Sequence, residues 1–240
     1  MLKEFFTKAK NKYIAYKSEQ RFTCDFCRKE VFCKERLCED CKKNLKKDWE
    51  KTCPVCGRSI RSEGICLTCK SDRPLFKKAF SPYDYVFMSG LAVNRLKNGE
   101  AYLADFLGEE MAKCYLTGGG ERDVLITCVP TTKEKLRERG YNQAELLGRV
   151  VAKILSKDLE KDILIKEKEV PEQKHLSAIE RKENIKGVYR VHERSKVNGK
   201  NVLLIDDILT TGATGNECAR ILKNAGAKDV YLLTAASTRE

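Results

Sequence analysis

A short apolar run that ends in two adjacent carboxylates is the feature that most restricts the fold of this chain. Residues Asn201 to Thr214 read NVLLIDDILTTGAT. A continuous aliphatic run such as Val202 to Ile205 is typical of a strand buried on both faces of a parallel sheet. Apolar residues at helical spacing follow, and Gly226 stands where such a helix would end. The stretch therefore predicts an α/β fold, with a strand, a loop and a helix that begins near Thr214 or Gly215.

The polar residues of this stretch indicate a sugar phosphate as ligand. Ligands of open α/β sheets bind outside the carboxyl ends of the strands, which is where Asp206 and Asp207 are expected. Carboxylates accept hydrogen bonds from sugar hydroxyls, while the unpaired N–H groups and the dipole of a helix N-terminus favour a phosphate. We therefore predict that the two aspartates bind a ribose and that the following loop binds its 5-phosphate through Thr210, Thr211, Gly212, Ala213 and Thr214.

Other phosphate loops do not match this stretch. No Lys-Ser or Lys-Thr follows a Gly-x-x-x-x-Gly, and no Gly-x-Gly-x-x-Gly opens a helix. The alternative is an ordinary turn before a helix with acidic residues nearby, which would bind no ligand. The completeness of the fourteen-residue string favours the phosphate loop.

Eight of the twelve cysteines form four Cys-x-x-Cys pairs. This spacing is typical of zinc ligands rather than of a disulfide framework. Pairing neighbours gives one site from Cys24, Cys27, Cys38 and Cys41 and another from Cys53, Cys56, Cys66 and Cys69, while a cross-brace that exchanges the middle pairs fits the same spacing. Four thiolates leave no open position on zinc, so both ions are predicted to be structural, with redox chemistry as the alternative. The remaining cysteines, Cys33, Cys114, Cys128 and Cys218, are predicted to be ordinary packing residues.

A second strand is predicted from Asp123 to Val129, and PTTKEKLRERGYNQAELL follows it. This cationic connection follows the carboxyl end of its strand, at the same sheet edge as Asp206. Its positive charges suit binding of a pyrophosphate, which needs several donors and usually Mg²⁺. The candidate binding residues are Pro130, Thr131, Thr132, Lys133, Arg137 and Arg139. A solvated charged connection is the alternative. The next helix is predicted to begin with a capping box of Asn142 and Glu145, and to bury Leu146, Leu147, Val150, Val151 and Ile154.

The polar stretch 171–191 lies after a strand predicted at Ile163 to Val170 and is typical of a functional lid. Its His175 has no evident partner, and a structural contact is preferred over acid or base catalysis. The organisation predicted for the chain is a basic amphipathic segment (1–20), a Cys-rich zinc module (21–72), a hood-like region with a linker (73–120) and an α/β core (121–240).

The net charge of +12 suits a polyanionic partner, and residues 1–72 carry 18 Lys and Arg against 11 Asp and Glu. Single-stranded DNA is one such partner, and simple solubility is the other interpretation. The aromatic residues among these charges suit either base stacking or a small core; they are Phe22, Phe26, Phe32 and Trp49. The longest uncharged apolar stretch, Tyr85 to Val93, is far shorter than the ~20 residues of a membrane span. With no secretory signal pattern at the start, we expect a cytoplasmic protein without an integral membrane segment.

The paired cysteines, LRERGYNQAELL, QKHLSAIERKENIKGVYRV and VLLIDDILTTGAT occur here in the order found in the ComF (ComFC) family of bacterial competence proteins. The chain resembles that family from Cys24 onward, with one departure at Thr131 and Thr132, where Leu-His is common. The resemblance implies a type I phosphoribosyltransferase-like parallel sheet flanked by helices, with a small N-terminal zinc-binding module.

The resemblance also implies roles for particular residues. Asp206 and Asp207 would be the catalytic carboxylates, Pro130 to Lys133 the pyrophosphate loop, and Gln173 to Gly187 the flexible loop. The ligand would be phosphoribosyl pyrophosphate with Mg²⁺. Its pyrophosphate group would leave together with Mg²⁺, and the ribose would pass through an oxocarbenium-like state. The family's setting is natural transformation, near single-stranded DNA and a ComFA-type helicase.

Three functions remain open from the sequence. The first is a phosphoribosyltransferase with an unidentified acceptor. The second is a single-stranded-DNA-binding protein that keeps a vestigial or regulatory phosphoribosyl pocket. The third is an adaptor whose zinc module docks a partner such as a helicase.

Overall fold

The computed structural model describes residues 23–31, 36–45, 51–168 and 184–239. Several sequence predictions lie outside these ranges: the basic helix over residues 1–20, most of the lid, and Phe22, Phe32, Cys33, Trp49 and His175.

Helices and strands alternate through most of the described chain. In order they are α1 (Glu39–Asn44), α2 (Leu67–Ser71), β1 (Lys78–Phe80), β2 (Tyr83–Asp84), α3 (Phe87–Lys97), α4 (Leu103–Thr117), β3 (Leu125–Cys128), α5 (Lys133–Arg139), α6 (Gln143–Ile154), β4 (Leu164–Lys166), β5 (Tyr189–Val191), α7 (Arg194–Val197), β6 (Asn201–Leu209), α8 (Ala213–Asn224) and β7 (Asp229–Ser237). This alternation is typical of an α/β fold with a parallel sheet.

A five-stranded parallel sheet forms the centre of the molecule. Its strand order is β1-β7-β6-β3, and β2 pairs with β7 beside β1. The predicted aliphatic strand is found in β6, which pairs with β3 on one side and with β7 on the other. The fold class predicted from the sequence is therefore confirmed.

The side chains of β6 alternate between two apolar layers. Leu203 and Ile205 pack in the same cluster as α4 and α6, whereas Val202 and Leu204 pack in the cluster that contains α8. All four are fully buried. Helices thus cover both faces of the sheet, which explains why the run is continuously aliphatic instead of alternating with polar residues.

Helix α6 differs in part from its prediction. The Asn142 side chain caps it by accepting a hydrogen bond from Ala144 N at 3.1 Å. Glu145, however, bonds Arg149 at 2.6 Å, so the predicted capping box is replaced by an ion pair along the helix. Ile154 is 42% exposed and was wrongly assigned to the buried stripe. The buried face of the helix instead includes the small residues Ala144, Gly148 and Ala152, which let the helix lie close to the sheet.

The region after α6 carries a small second sheet. The strand predicted from Ile163 is found as β4, and it pairs antiparallel with β5. β5 falls inside the polar stretch 171–191 that was predicted as a lid, so residues 189–191 belong to the second sheet and not to the lid. Tyr189 and Val191 are buried on alternate positions of β5, but three residues are too short a run for the pattern to be detected in the sequence.

Two Cys-rich segments dock on different parts of this core. The first, residues 23–31 and 36–45, packs against α3 and α4: Arg95 donates to the Phe26 carbonyl, and Arg36 joins Asp25 (2.8 Å) to Glu109 (2.7 Å). Phe26 is buried, so its ring is not available for base stacking.

The second segment, residues 51–72, lies against β1 and β2. Ala79 N donates to Val55 O at 2.7 Å, and Ser59 Oγ donates to Asp84 at 2.6 Å. We call these two segments the first and second four-cysteine modules. In the part of the chain that the structure describes, no helix has both the length and the apolar character needed to cross a bilayer.

Candidate functional site: two four-cysteine clusters and a strand-loop-helix crevice

The eight paired cysteines form two separate clusters. Within each cluster the four sulfur atoms lie within 4.8 Å of one another, and the members are Cys24, Cys27, Cys38 and Cys41 in one and Cys53, Cys56, Cys66 and Cys69 in the other. Neighbouring pairs are therefore joined, and the cross-brace alternative is excluded. In the second cluster all four residues are buried, whereas in the first Cys27 is exposed and Cys38 half-buried.

The spacing and the electrostatics of these thiols fit a tetrahedral metal ion. The Sγ atoms of Cys56 and Cys66 are 3.6 Å apart, close to the ~3.8 Å edge of a tetrahedron with Zn–S bonds of ~2.3 Å. Burial opposes ionisation of Cys53, but backbone N–H groups of Cys56 and Cys66 outweigh it and lower its pKa to about 7. Burial and the Cys53 thiolate raise the pKa of Cys56 to about 12. Because thiolates this close repel one another, a divalent cation is needed to hold all four; each cluster could hold one Zn²⁺ with no open position.

Strand β6 carries the acidic pair beyond the end of its neighbour. The register between β3 and β6 ends at Cys128 and Ile205, whereas β6 continues along β7 to Leu209. Asp206 and Asp207 therefore lie inside strand β6. The sequence had suggested that they would follow the end of the strand. They are still past the carboxyl end of β3, where a parallel sheet opens into a crevice.

Lys97 is the charged partner of this acidic pair. It is the last residue of α3, and its Nζ lies 2.9 Å from Asp207 Oδ2. Burial opposes the charge of Lys97, but Asp207 and then Asp206 raise its pKa above the usual value. Sequence reasoning missed Lys97, because nothing in NRLKNGE distinguishes it from other surface lysines before the tertiary contact is known.

The Asp206 carboxyl is strongly perturbed. Burial, followed by the charge of Asp207, raises its pKa to about 8, against the opposing effects of the Asp207 N–H and of Lys97 and Lys166. One carboxyl oxygen of Asp206 accepts the backbone N–H of Asp207 at 2.8 Å. A perturbed carboxyl in a crevice is a frequent property of functional sites.

The predicted phosphate loop joins β6 to the N-terminus of α8. The helix begins at Ala213, slightly before the predicted start, and Gly212 precedes it with a φ of +84° that favours glycine. Thr211 Oγ1 accepts the Ala213 N–H at 3.3 Å, and Thr210 to Ala213 line a cavity of about 400 Å³. Gly226, with a φ of +98°, follows the helix as predicted.

The predicted pyrophosphate segment is only partly a loop. Pro130 to Thr132 connect β3 to α5, and Val129 N donates to Ile205 O at 2.9 Å, which places this connection beside the acidic strand. Thr132 caps α5 by accepting from Lys135 N at 3.1 Å. Lys133, Arg137 and Arg139 lie on this helix, so the expectation of a cationic loop is corrected to a short cationic helix.

Comparison with known proteins places this arrangement in a family. A model of the phosphoribosyl transferase domain matches residues 142–240, which include β6, the acidic pair and α8. Competence protein ComFC of Bacillus subtilis is 28% identical over 199 residues, 80% of each chain. DNA utilization protein YhgH of Salmonella typhimurium is 30% identical over 186 residues, 75% of this chain and 81% of that protein. The chain belongs to the ComF family. Competence protein F of Haemophilus influenzae, which is 26% identical, matches 88% of this ComF chain and 95% of its own length.

Membership of the ComF family agrees with the resemblance predicted from the sequence. The ComF chain described here combines a phosphoribosyltransferase-like domain with two N-terminal four-cysteine clusters that fit zinc. The domain model begins at Asn142, so the connection Pro130 to Arg139 lies outside the matched residues.

Proposed function

We propose that this ComF-family protein binds phosphoribosyl pyrophosphate with Mg²⁺ and transfers the phosphoribosyl group to an acceptor. The observation that carries the proposal is the continuity of β6 and α8: one strand-loop-helix unit presents two carboxylates and a glycine-opened helix N-terminus. Carboxylates for hydroxyls next to N–H groups for a phosphate match the two ends of a ribose 5-phosphate.

Each candidate residue has a role in this proposal. Asp206 and Asp207 accept hydrogen bonds from the ribose hydroxyls, and the loop Thr210 to Thr214 binds the 5-phosphate. The connection Pro130 to Lys133 and the arginines Arg137 and Arg139 of α5 face the pyrophosphate. By analogy with the family, residues 173–187, of which 173–183 lie outside the described residues, are assigned the role of covering the ligand and excluding water, which competes with the acceptor as nucleophile.

In the transfer, the bond from the ribose C1 to pyrophosphate breaks and a bond from the acceptor to C1 forms. Bound Mg²⁺ would neutralise the pyrophosphate as it leaves. The oxocarbenium-like state carries positive charge on the ribose. That charge favours the ionised form of Asp206, and the carboxylates of Asp206 and Asp207 stabilise it. Lys97 Nζ lies 2.9 Å from Asp207 Oδ2 in the free protein and places a positive charge beside the acidic pair.

We further propose that the protein acts in DNA uptake. The names of its relatives, competence protein and DNA utilization protein, support this setting. In this proposal the two zinc ions are structural, residues 21–72 form the zinc module, residues 73–120 the hood, and residues 121–240 the phosphoribosyltransferase-like core. The excess of positive charge in residues 1–72 supports single-stranded DNA as a second ligand.

Calorimetry of phosphoribosyl pyrophosphate binding in Mg²⁺ tests the proposal. We compare the unaltered protein with an Asp206→Asn, Asp207→Asn double variant and expect the variant to lose binding. The matched control is Asp123→Asn, Asp158→Asn, which makes the same two substitutions at exposed positions. No binding to the unaltered protein would overturn the proposal.

Single-stranded DNA binding is followed on the same samples at several salt concentrations. Retention of DNA affinity by the Asp206, Asp207 double variant would show two separable sites. A steep fall of that affinity with salt is expected if the basic segment carries it.

A further inference from the structure

The second four-cysteine module reaches the phosphate loop through one buried side chain. Arg58, two residues after the cluster residue Cys56, is only 6% exposed. Its guanidinium donates to the carbonyl of Thr210, the first residue of the phosphate loop. The same carbonyl accepts from Thr238 Oγ1 at 3.2 Å, so the loop is held from both sides.

Arg58 also faces the cavity at the N-terminus of α8. This cavity, of about 400 Å³, is bounded on one side by the module, including Cys56, Arg58 and Cys69, and on the other by the loop. The Nε atom of Arg58 is buried and has no hydrogen-bond partner among the residues that the structure describes. A buried guanidinium N–H without an acceptor is costly, and an anion in the cavity would satisfy it.

The helix side of the cavity also offers hydrogen-bond donors to an anion, here from the backbone. Gly212 precedes α8 and offers no side chain to cap it, although the neighbouring Thr211 Oγ1 accepts the N–H of Ala213 at 3.3 Å. Backbone N–H groups at such an N-terminus carry the positive end of the helix dipole. Arg58 and α8 are far apart in the sequence, yet both direct hydrogen-bond donors towards the same cavity.

We propose that the second four-cysteine module forms one wall of the phosphate pocket and that Arg58 supplies a fixed positive charge to the bound phosphate monoester. This inference rests on the proposed function, since the anion is the 5-phosphate of that ligand. It adds to the loop a residue from outside the phosphoribosyltransferase-like domain. Metal held by the second cluster then fixes the position of a ligand-binding arginine.

Ribose 5-phosphate binding to the 240-residue chain tests the inference, with three variants of Arg58. Arg58→Gln keeps a donor for the Thr210 carbonyl without the charge, Arg58→Lys keeps the charge, and Arg58→Met keeps neither. We expect the Gln and Met variants to bind about tenfold more weakly or worse, and Lys to recover most of the affinity. The control is Arg28→Met in the first module, where the arginine contacts Tyr102 instead of the loop, and it should bind normally.

The outcomes separate the two proposals. If the unaltered protein binds ribose 5-phosphate and Arg58→Gln binds equally well, Arg58 only positions the loop and the inference is overturned, while the proposed function stands. If the unaltered protein binds neither ribose 5-phosphate nor phosphoribosyl pyrophosphate, the proposed function itself fails. Zinc content and thermal unfolding of each variant show that it is folded, and Arg58→Lys remains informative if Arg58→Met does not fold.

A second measurement follows the metal instead of the ligand. Because Arg58 joins the pocket to the second cluster, bound ribose 5-phosphate should slow the release of zinc from that cluster to a chelator, and leave the first cluster unaffected. The slowing should disappear in Arg58→Gln. Equal rates with and without ribose 5-phosphate at saturation would contradict the inference.

Discussion

Lys97 Nζ and Asp207 Oδ2 are 2.9 Å apart, and this contact ties the end of α3 to the acidic strand β6. Both side chains are largely buried, with 27% and 19% of their surfaces exposed. The contact therefore places a cation directly beside the two adjacent carboxylates, and Asp207 and then Asp206 raise the pKa of Lys97 against the opposing effect of burial.

Replacing Lys97 with Met should destabilise the free protein. The substitution keeps the apolar stem but leaves Asp207 without its cation beside Asp206, which we expect to lower the free energy of unfolding by about 1–3 kcal/mol. Chemical denaturation at pH 8 measures this. Lys97→Arg, which keeps the charge, should be nearer to the unaltered protein; equal stability of Lys97→Met would show that the pair contributes nothing.

Asp206→Asn should stabilise the free protein increasingly as the pH rises. The pKa of Asp206 is about 8 in the folded protein and ~3.9 in the unfolded chain. Between these values the folded state binds a proton that the unfolded state has lost, so stability falls as the pH rises, by at most ~1.4 kcal/mol per pH unit. The Asn variant lacks this loss.

Melting temperatures from pH 5 to pH 9, without Mg²⁺ or ligand, measure the difference in stability between Asp206→Asn and the unaltered protein. Nearby groups should not titrate in this range: burial raises the pKa of Cys128 to about 12 and also raises the pKa of Tyr189 and of Cys218. Asp123→Asn, at an exposed position, is the control and should show no such trend. A difference in melting temperature that does not change with pH would refute the raised pKa of Asp206.

Part of this site was predictable from the sequence, and part was not. The strand, the glycine-opened helix and the cysteine clusters follow from local spacing, since each pattern is complete within a few residues. Lys97 and Arg58 could not be found in this way. Their partners, Asp207 and Thr210, are distant in the chain, and only the packing of α3 and of the second module on the sheet brings the groups together. β5 was assigned to the lid for a different reason, because a run of three residues is too short to show the alternation of a strand.

The two four-cysteine clusters should lose metal at different rates. All four cysteines of the second cluster are buried, whereas Cys27 and Cys38 of the first are partly accessible to solvent. A chelator should therefore remove zinc in two phases, the faster from the first cluster. A coloured chelator measures the release, and Cys27→Ser and Cys56→Ser identify which phase belongs to which cluster. Loss of the second zinc before the first would contradict this expectation.

Gly57→Ala should weaken the docking of the second module. Gly57 has a φ of +69°, and a Cβ there would lie 2.6 Å from the Ala79 carbonyl oxygen of β1. Gly64→Ala is the matched control, because it also has a positive φ but open space around it among the described residues. Both variants bear a backbone cost of about 1 kcal/mol or more, and only Gly57→Ala adds the clash, so its melting temperature should be the lower. Equal melting temperatures would show that the clash is relieved by movement.

Strand β7 has a consequence for how the protein is made. It lies between β1 and β6 in the sheet, yet it is synthesised after both. Until residues 229–237 have left the ribosome, the facing edges of β1 and β6 lack the strand that joins them, and unpaired edges of this kind favour aggregation. The cysteines of both clusters, by contrast, are complete by Cys69. Zinc could therefore bind to the growing chain long before the sheet and the helices against which the two modules pack are complete.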